Sequence, residues 1–266
     1  MKPAIVIPAR DEARTIADLA RRALCQCPDV IVVDDGSRDG TAEAVAGLAV
    51  ILLRHDRNRG KAAALATGFA RALESGADVV VTMDGDGQHR PEDVPRLLAA
   101  ARRYPGCLVI GARLLGRDAY PRARSFANAF ADFWIGWASG QRLADSQSGQ
   151  RVYPASLLRS NARLPLRAQG FTFESEILIR AAREGCEAIA VPIVAIHDTA
   201  GRPSHFRPVR DIARIVFMVA GYLLRSGLNP AGLWRSLRGP ARIVAATEFE
   251  SQASDRGPMP RRETGT

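Results

Sequence analysis

Val79-Val80-Val81-Thr82-Met83-Asp84-Gly85-Asp86-Gly87-Gln88 is the stretch that decides the reading of this chain. The apolar run has the composition of a strand buried on both faces, and it carries Asp84, Asp86 and Gln88 to its C-terminal end, where open α/β sheets bind ligands. An earlier run, Val30-Ile31-Val32-Val33, ends in the same way on Asp34-Asp35. Gly85 and Gly87 would let a cation and a diphosphate approach the backbone closely, and oxygen donors at every second position suit a hard divalent ion. The pattern predicts a nucleotide-diphosphate site built around Mg2+ or Mn2+. The competing reading of Asp34-Asp35-Gly36-Ser37 is a strand-to-helix turn with side-chain capping.

Outward from these strands, runs at 4–8, 30–35, 50–53, 78–84 and 107–112 alternate with helical patterns at 12–25, 40–47, 60–75 and 91–103. Such alternation predicts βαβ units and a Rossmann-like, mostly parallel sheet flanked by helices. Helix starts are marked by Asp39-Gly40-Thr41 and by Pro91-Glu92-Asp93. Residues 1–113 read as a nucleotide-binding half and 114–210 as an acceptor half. A helical basic and apolar extension is expected over 211–238. The stretch 239–266 has the glycine, proline, serine and charge content of a disordered tail.

Length and composition fit a globular enzyme, with 266 residues and 47% apolar side chains available for a full core. Lysine and arginine number 37 against 28 acids, a net charge of +9 that suits phosphates, anionic lipid or nucleic acid. The arginines are spread along the chain rather than gathered with aromatics on one element, so no nucleic-acid partner is expected. No GxGxxG follows the first strand, which excludes a dinucleotide-binding dehydrogenase of that type. The four cysteines, Cys25, Cys27, Cys107 and Cys186, lack paired CxxC spacing and read as reduced and structural. The first strand, Ala4 to Ile7, follows the start without a secretory pattern, so the expected compartment is cytoplasmic.

In the second half, Phe126, Phe130, Phe133, Trp134 and Trp137 share one helical stripe over 124–139, which reads either as core or as a wall for a lipid. Asp145-Ser146-Gln147-Ser148-Gly149 forms another polar cluster, followed by a helix-like stretch and then Phe171-Thr172-Phe173-Glu174-Ser175-Glu176. No segment reaches the roughly 20 apolar residues that span a bilayer. The run Ile212 to Leu224 reads as a core helix or as one lying in the membrane interface.

Five blocks in order resemble glycosyltransferase family 2, specifically its dolichyl- or polyprenyl-phosphate sugar transferase branch. They are Ile5-Val6-Ile7-Pro8-Ala9-Arg10-Asp11-Glu12, Val32 to Thr41, Asn58-Arg59-Gly60-Lys61, Asp84-Gly85-Asp86-Gly87-Gln88 and Gly111-Ala112-Arg113. The resemblance covers about residues 4–210 and implies a GT-A fold. It implies that Pro8, Glu12, Val33 and Asp35 hold the base and ribose, with Arg10 where the family often has tyrosine. It places Lys61, Asp84, Gly85 and Arg113 at the sugar and diphosphate, and Asp86 and Gln88, with Asp84, at the metal. His205 and Arg207 stand where the family has a basic pair near the phosphates.

Asp145 to Gly149 resembles the family's Asp-x-Gln-Cys-Gly block with serine in place of cysteine, which makes Asp145 the first candidate for a base near the acceptor. Glu176 is the second. The expected activity is inverting transfer of a hexose from a UDP- or GDP-sugar to a polyprenyl phosphate or related membrane lipid. Alternatives are a hydroxyl acceptor, or a nucleotide-sugar-binding regulator without catalysis. Residues 207–238 place six arginines, among them Arg210 and Arg225, beside apolar residues such as Ile212 and Leu223. That mixture predicts reversible contact with the anionic inner face of the cytoplasmic membrane.

Overall fold

The computed structural model describes residues 1–116, 122–162, 172–196 and 208–244. Its centre is a seven-stranded sheet in the order β3-β2-β1-β4-β6-β5-β7. The strands are β1 (Pro3–Ala9), β2 (Val30–Asp34), β3 (Ile51–Arg54), β4 (Val79–Thr82), β5 (Leu108–Leu115), β6 (Arg151–Pro154) and β7 (Ala188–Val194). β1 pairs in parallel with β2 and β4, β2 with β3, and β5 with β7. β6 runs antiparallel between β4 and β5, with Val81 opposite Val152 and Ile110 opposite Arg151. The sheet is therefore mixed, and the helix-like reading after Gly149 is corrected: a strand comes first, and α6 (Ala155–Ala162) follows it.

Alternation along each strand separates two cores. Val6, Val33 and Val80 face one layer with Leu65 and Phe69 of α3 (Lys61–Glu74), Ile135 of α5 (Arg122–Ser139), Ile177 of α7 (Thr172–Arg183) and Val219 of α8 (Pro208–Arg225). Ile5, Ile7 and Val32 face the other, with Leu19 of α1 (Ile16–Leu24), Val45 of α2 (Thr41–Val45) and Leu97 of α4 (Val94–Arg103). Each nonpolar side chain of this size contributes about 1.5–3 kcal/mol when fully buried.

The aromatic stripe of α5 is divided: Trp134 and Trp137 are partly buried and pack against the core, whereas Phe126, Phe130 and Phe133 are exposed. The fully inward side of the helix is Ala131, Ile135 and Ala138. α9 (Pro230–Arg238) packs on α5, where Trp137 Nε1 donates to the Leu228 carbonyl at 2.8 Å and Arg235 Nε to Gly140 O at 3.1 Å. Beyond α9 the backbone does not leave the fold at 239. Ala190 N donates to Arg242 O and Val244 N to Ala190 O, each at 2.8 Å, so 242–244 lies along β7 and Val244 is buried. Among the described residues no helix is long and apolar enough to cross a membrane.

Candidate active site

The C-terminal ends of β1, β2 and β4 share one edge, because β1 lies between the other two and all three are parallel. Connections leave β1 towards β2 on one side, while β4 lies on the other, which makes this edge the topological switch point where such sheets bind ligands. Gly85 sits so close to β1 that an added Cβ would lie 3.2 Å from Pro8 O. Thr15 Oγ1 donates to Gly85 O at 2.8 Å and ties the first loop to the acidic one.

At the end of β4, Asp84 Oδ1 is 2.5 Å from Lys61 Nζ, and Asp84 Oδ2 is 3.5 Å from His89 Nε2. Lys61 opens α3, and its ammonium also reaches Glu174 Oε2 at 3.3 Å, in the first turn of α7. Burial works against the Lys61 charge, but Asp84 and Glu174 outweigh it and hold the pKa above the usual lysine range. Burial likewise opposes the Asp84 carboxylate, yet Lys61 and His89 keep it well below its usual range. Burial, with Asp84 as a like charge, pushes the Asp86 carboxyl up. Asp86 Oδ1 accepts from the Gln88 amide at 2.9 Å, an Asx turn that keeps both residues at the mouth of the site.

Does this donor set fit a divalent ion? Among the described residues no group of three or more acidic, histidine or cysteine side chains forms a ready-made metal cage. Mg2+ characteristically takes one or two carboxylates and completes its shell with water and substrate phosphates. Asp86, half-buried beside the like charge of Asp84, with Gln88 next to it, matches that requirement.

Arg113, near the end of β5, meets Asp145 along a two-pronged pair, with Nε to Oδ2 and NH2 to Oδ1 both at 2.7 Å, while the Arg113 amide donates to Oδ2 at 2.8 Å. Asp145 is 0% exposed. Its φ of +55° is a left-handed conformation that an aspartate tolerates better than most residues. Asp132 of α5 holds that turn, accepting from the amides of Asp145 at 3.1 Å and Ser146 at 2.6 Å. The Asp145 carboxylate expected to serve as a base thus meets Arg113 with both of its oxygens.

The next strand braces the same loop. Arg151 is fully buried and donates to the carbonyls of Ser148 at 2.8 Å, Ser146 at 2.6 Å and Glu174 at 2.8 Å. One guanidinium therefore joins the 145–149 loop to the start of α7. Gly149 passes against Asp84 so closely that an added Cβ would collide with the carboxylate. Glu174 has one carboxylate oxygen, Oε1, buried without a hydrogen-bond partner.

The end of β2 is both a turn and a scaffold. Asp34 Oδ1 accepts from the Ser37 amide at 2.9 Å, and Arg54 Nε stands 3.2 Å from Asp34 Oδ2. Asp35 accepts from the amides of Arg59 at 2.8 Å and Gly60 at 2.7 Å, and lies 2.7 Å from His55 Nδ1. It thereby shapes the loop that delivers Lys61. Gly36, at φ +68°, leaves room for the backbone of Arg57, which any side chain there would strike. A cavity of about 380 Å³ opens beside this loop, lined by Arg10, Ser37, Arg38, Arg54, His55 and Asn58 among others.

Pro8 and Val33 are buried strand residues flanking the edge, and Glu12 accepts from Thr15 Oγ1 at 3.3 Å. Glu176 is not brought to the cluster: its carboxylate meets Arg180 at 2.7 Å and Tyr222 of α8 at 3.0 Å. His205 and Arg207 lie outside the described residues. Sequence reasoning missed His89, Asp132 and Glu174.

The description Glycosyl transferase family 2 matches residues 4–155. The chain is 33% identical over 211 residues to an undecaprenyl-phosphate mannosyltransferase of Micrococcus luteus, covering 76% of this chain and 86% of that protein. It is 29% identical over 238 residues to a polyprenol monophosphomannose synthase of Mycolicibacterium smegmatis, covering 85% and 89%. Among solved structures, glucosyl-3-phosphoglycerate synthase of Mycobacterium tuberculosis, crystallised with Mn2+, UDP and phosphoglyceric acid, superposes with a TM-score of 0.59. That likeness covers 84% of this chain and 78% of that one at 22% identity, and it establishes the shared GT-A fold. Family match, fold and an acid-and-arginine edge at the switch point agree, and the chain belongs to glycosyl transferase family 2 as a glycosyltransferase.

Proposed function

We propose that the chain transfers a hexose, with inversion, from a UDP- or GDP-sugar to a polyprenyl phosphate at the inner face of a membrane. The observation that carries this reading is that Lys61, paired with Asp84, and Arg113, paired with Asp145, both stand at the carboxyl edge of the sheet. Positive groups there face the place where a leaving diphosphate gains charge, supported by the Asp35 loop on one side and the Asp145 loop on the other. The relatives' acceptors, undecaprenyl and polyprenol phosphates by their names, support a lipid phosphate.

In the transfer, an oxygen of the acceptor phosphate forms the new bond to the anomeric carbon, and the bond to the donor's diphosphate breaks with its electron pair leaving on oxygen. Lys61 and Arg113 are the protein's own cations for that charge. His205 and Arg207 are proposed as further donor-binding residues. Asp86 and Gln88, with Asp84 beside them, would hold Mg2+ or Mn2+, which supplies further neutralisation of the diphosphate. An anionic acceptor needs no base, so orientation and charge stabilisation carry the rate.

A second reading, transfer to a hydroxyl, is favoured by one feature: the unpartnered Oε1 of Glu174 could take a proton. Calorimetric titration with UDP and GDP, with and without Mn2+, tests the donor site, and a radiolabelled sugar chase into lipid phosphate tests the acceptor. Metal-dependent binding of one nucleotide, lost in Asp86→Asn, is the expected result. Binding of neither nucleotide would overturn the proposal.

A further inference from the structure

Three helices of this fold carry large apolar residues on their outer sides. α5 turns Ala131, Ile135 and Ala138 inward and large aromatics outward, with Phe126 74% exposed. α8 buries Ile215, Val219 and Leu223 and exposes Phe217 at 77% and Leu224 at 72% on its opposite side. α9 buries Gly232 and Ser236 and exposes Trp234 at 59% and Leu237 at 57%. A helix that faces only water carries polar residues on its outer side. α5 packs against both α8 and α9, so the three helices are neighbours in the fold. Large apolar side chains left this exposed on adjacent helices are the kind of surface that marks an interaction site.

The charge along α8, α9 and the segment that follows is mostly positive. From Ile212 to Val244 the sequence contains five arginines and no acid, while Asp211 stands in the first turn of α8 and Arg242 pairs with Glu187. Arg225, Arg235 and Arg238 are exposed, and the Arg238 guanidinium lies 5.3 Å over the Trp234 ring. We infer that the outer face of α5, α8 and α9 docks on an anionic bilayer, with Phe217, Leu224, Trp234 and Leu237 entering the interface and the arginines meeting lipid phosphates. Tryptophan beside arginine is the pairing that the headgroup region favours, and each basic residue near an anionic surface contributes about 1 kcal/mol. A second copy fits less well, since a twofold contact would set arginines against arginines. The inference deepens the lipid-acceptor reading and rests on it only for its purpose, because the surface itself is independent of any sugar chemistry.

The test is co-sedimentation of the full chain with sucrose-loaded vesicles, without nucleotide sugar. The vesicles are phosphatidylcholine alone or phosphatidylcholine mixed equally with phosphatidylglycerol. The expected result is binding to the anionic vesicles at low salt that weakens as salt rises. Phe217→Ser with Leu224→Ser, and separately Arg235→Gln with Arg238→Gln, should each weaken it by about tenfold. Arg21→Gln with Arg102→Gln removes the same charge from exposed positions of α1 and α4 and should leave binding unchanged. No binding at low salt, or equal binding by all variants, overturns the inference. So does a stable dimer in sedimentation equilibrium that the Phe217 and Leu224 changes dissociate, which would assign the face to a second copy. Sugar transfer to a short-chain, water-soluble lipid phosphate, measured in parallel, separates the two claims. If transfer persists while vesicle binding is absent, only the docking face is wrong; if vesicle binding persists without transfer, only the acceptor reading is.

Discussion

Glu174 and Glu176 stand two residues apart in α7 and serve opposite sides of it. Glu174 Oε2 meets Lys61 at 3.3 Å, on the side of the sheet edge, while Glu176 Oε1 meets Arg180 and the Tyr222 hydroxyl of α8. Two residues along an α-helix turn the side chain by about 200°. The helix is therefore a bridge, holding an acid at the candidate site with one face and gripping α8 with the other. Arg183 strengthens the grip, with its guanidinium 4.8 Å over the Tyr222 ring.

The two glutamates should separate in mutagenesis. Glu174→Gln removes a charge next to Lys61 and is expected to lower kcat by about tenfold for a phosphate acceptor, or by about 10²–10⁴ if a hydroxyl is the acceptor and Glu174 its base. Glu176→Gln is expected to leave the rate near normal and to lower stability by about 1–3 kcal/mol through its hydrogen bonds to Arg180 and Tyr222. Initial rates and urea unfolding on the same preparations check both. A rate lost in Glu176→Gln with stability intact would return that residue to the chemistry.

The Lys61–Asp84 pair sets a pH window. Asp84 is held below its ordinary range, so its contribution to stability is present above about pH 4 and is lost as pH falls through the depressed value. Lys61 is held above its ordinary range, so its contribution is complete below about pH 10 and is lost as pH rises through the raised value. In Lys61→Met, Asp84 loses a cation 2.5 Å away and should titrate at higher pH. Urea midpoints taken between about pH 3 and about pH 7 should then fall less steeply towards acid than in the parent chain. Parallel curves for the two proteins would mean that Asp84 does not draw its charge preference from Lys61.

Much of this was legible in the chain and some was not, for physical reasons. Strands β1, β2 and β4 announce themselves because parallel strands covered on both faces need unbroken apolar runs. β6 gives no such signal: it is Arg-Val-Tyr-Pro, four residues with a buried arginine whose partners are carbonyls brought from elsewhere. Asp84 and Lys61 could be picked out from local motifs, yet the link of Lys61 to Glu174 crosses 113 residues and exists only in the fold. Asp145 was singled out because its block resembles one of the family's, whereas its pairing with Arg113, 32 residues away, exists only in the fold. The aromatic stripe of α5 was read correctly as a stripe, but periodicity says which residues share a face and not what the face meets.

Arg113 and Asp145 give a sharp distinction between orientation and base chemistry. If Asp145 orients the guanidinium, Asp145→Asn should destabilise the chain by about 3–5 kcal/mol, because a largely buried Arg113 loses its charged partner. Arg113→Lys should recover little of the function, since an ammonium cannot reproduce the two parallel bonds. A base would behave otherwise: the asparagine variant would fold normally, bind donor normally and fail only in turnover. Donor titration followed by urea unfolding distinguishes the two outcomes.

Gly149→Ala asks whether the acceptor loop and the acid at the end of β4 must touch. The Gly149 carbonyl accepts from Thr82 Oγ1 at 2.8 Å, which fixes its backbone against β4, and a methyl group there would be driven into the Asp84 carboxylate. The backbone cannot retreat without breaking that bond, so Asp84 has to swing away from Lys61. Misplacing a charged group by about 1 Å can cost about 10² in rate with little loss of fold. The expected outcome is a transfer rate reduced by about tenfold or more, a weakened nucleotide titration and a melting temperature within a few degrees of the parent. Gly47→Ala, with nothing within 4 Å of its added Cβ, is the matched control and should change neither quantity. Normal transfer by Gly149→Ala would show that Asp84 has freedom to move during the reaction, and that its contact with Lys61 is a resting arrangement rather than a requirement.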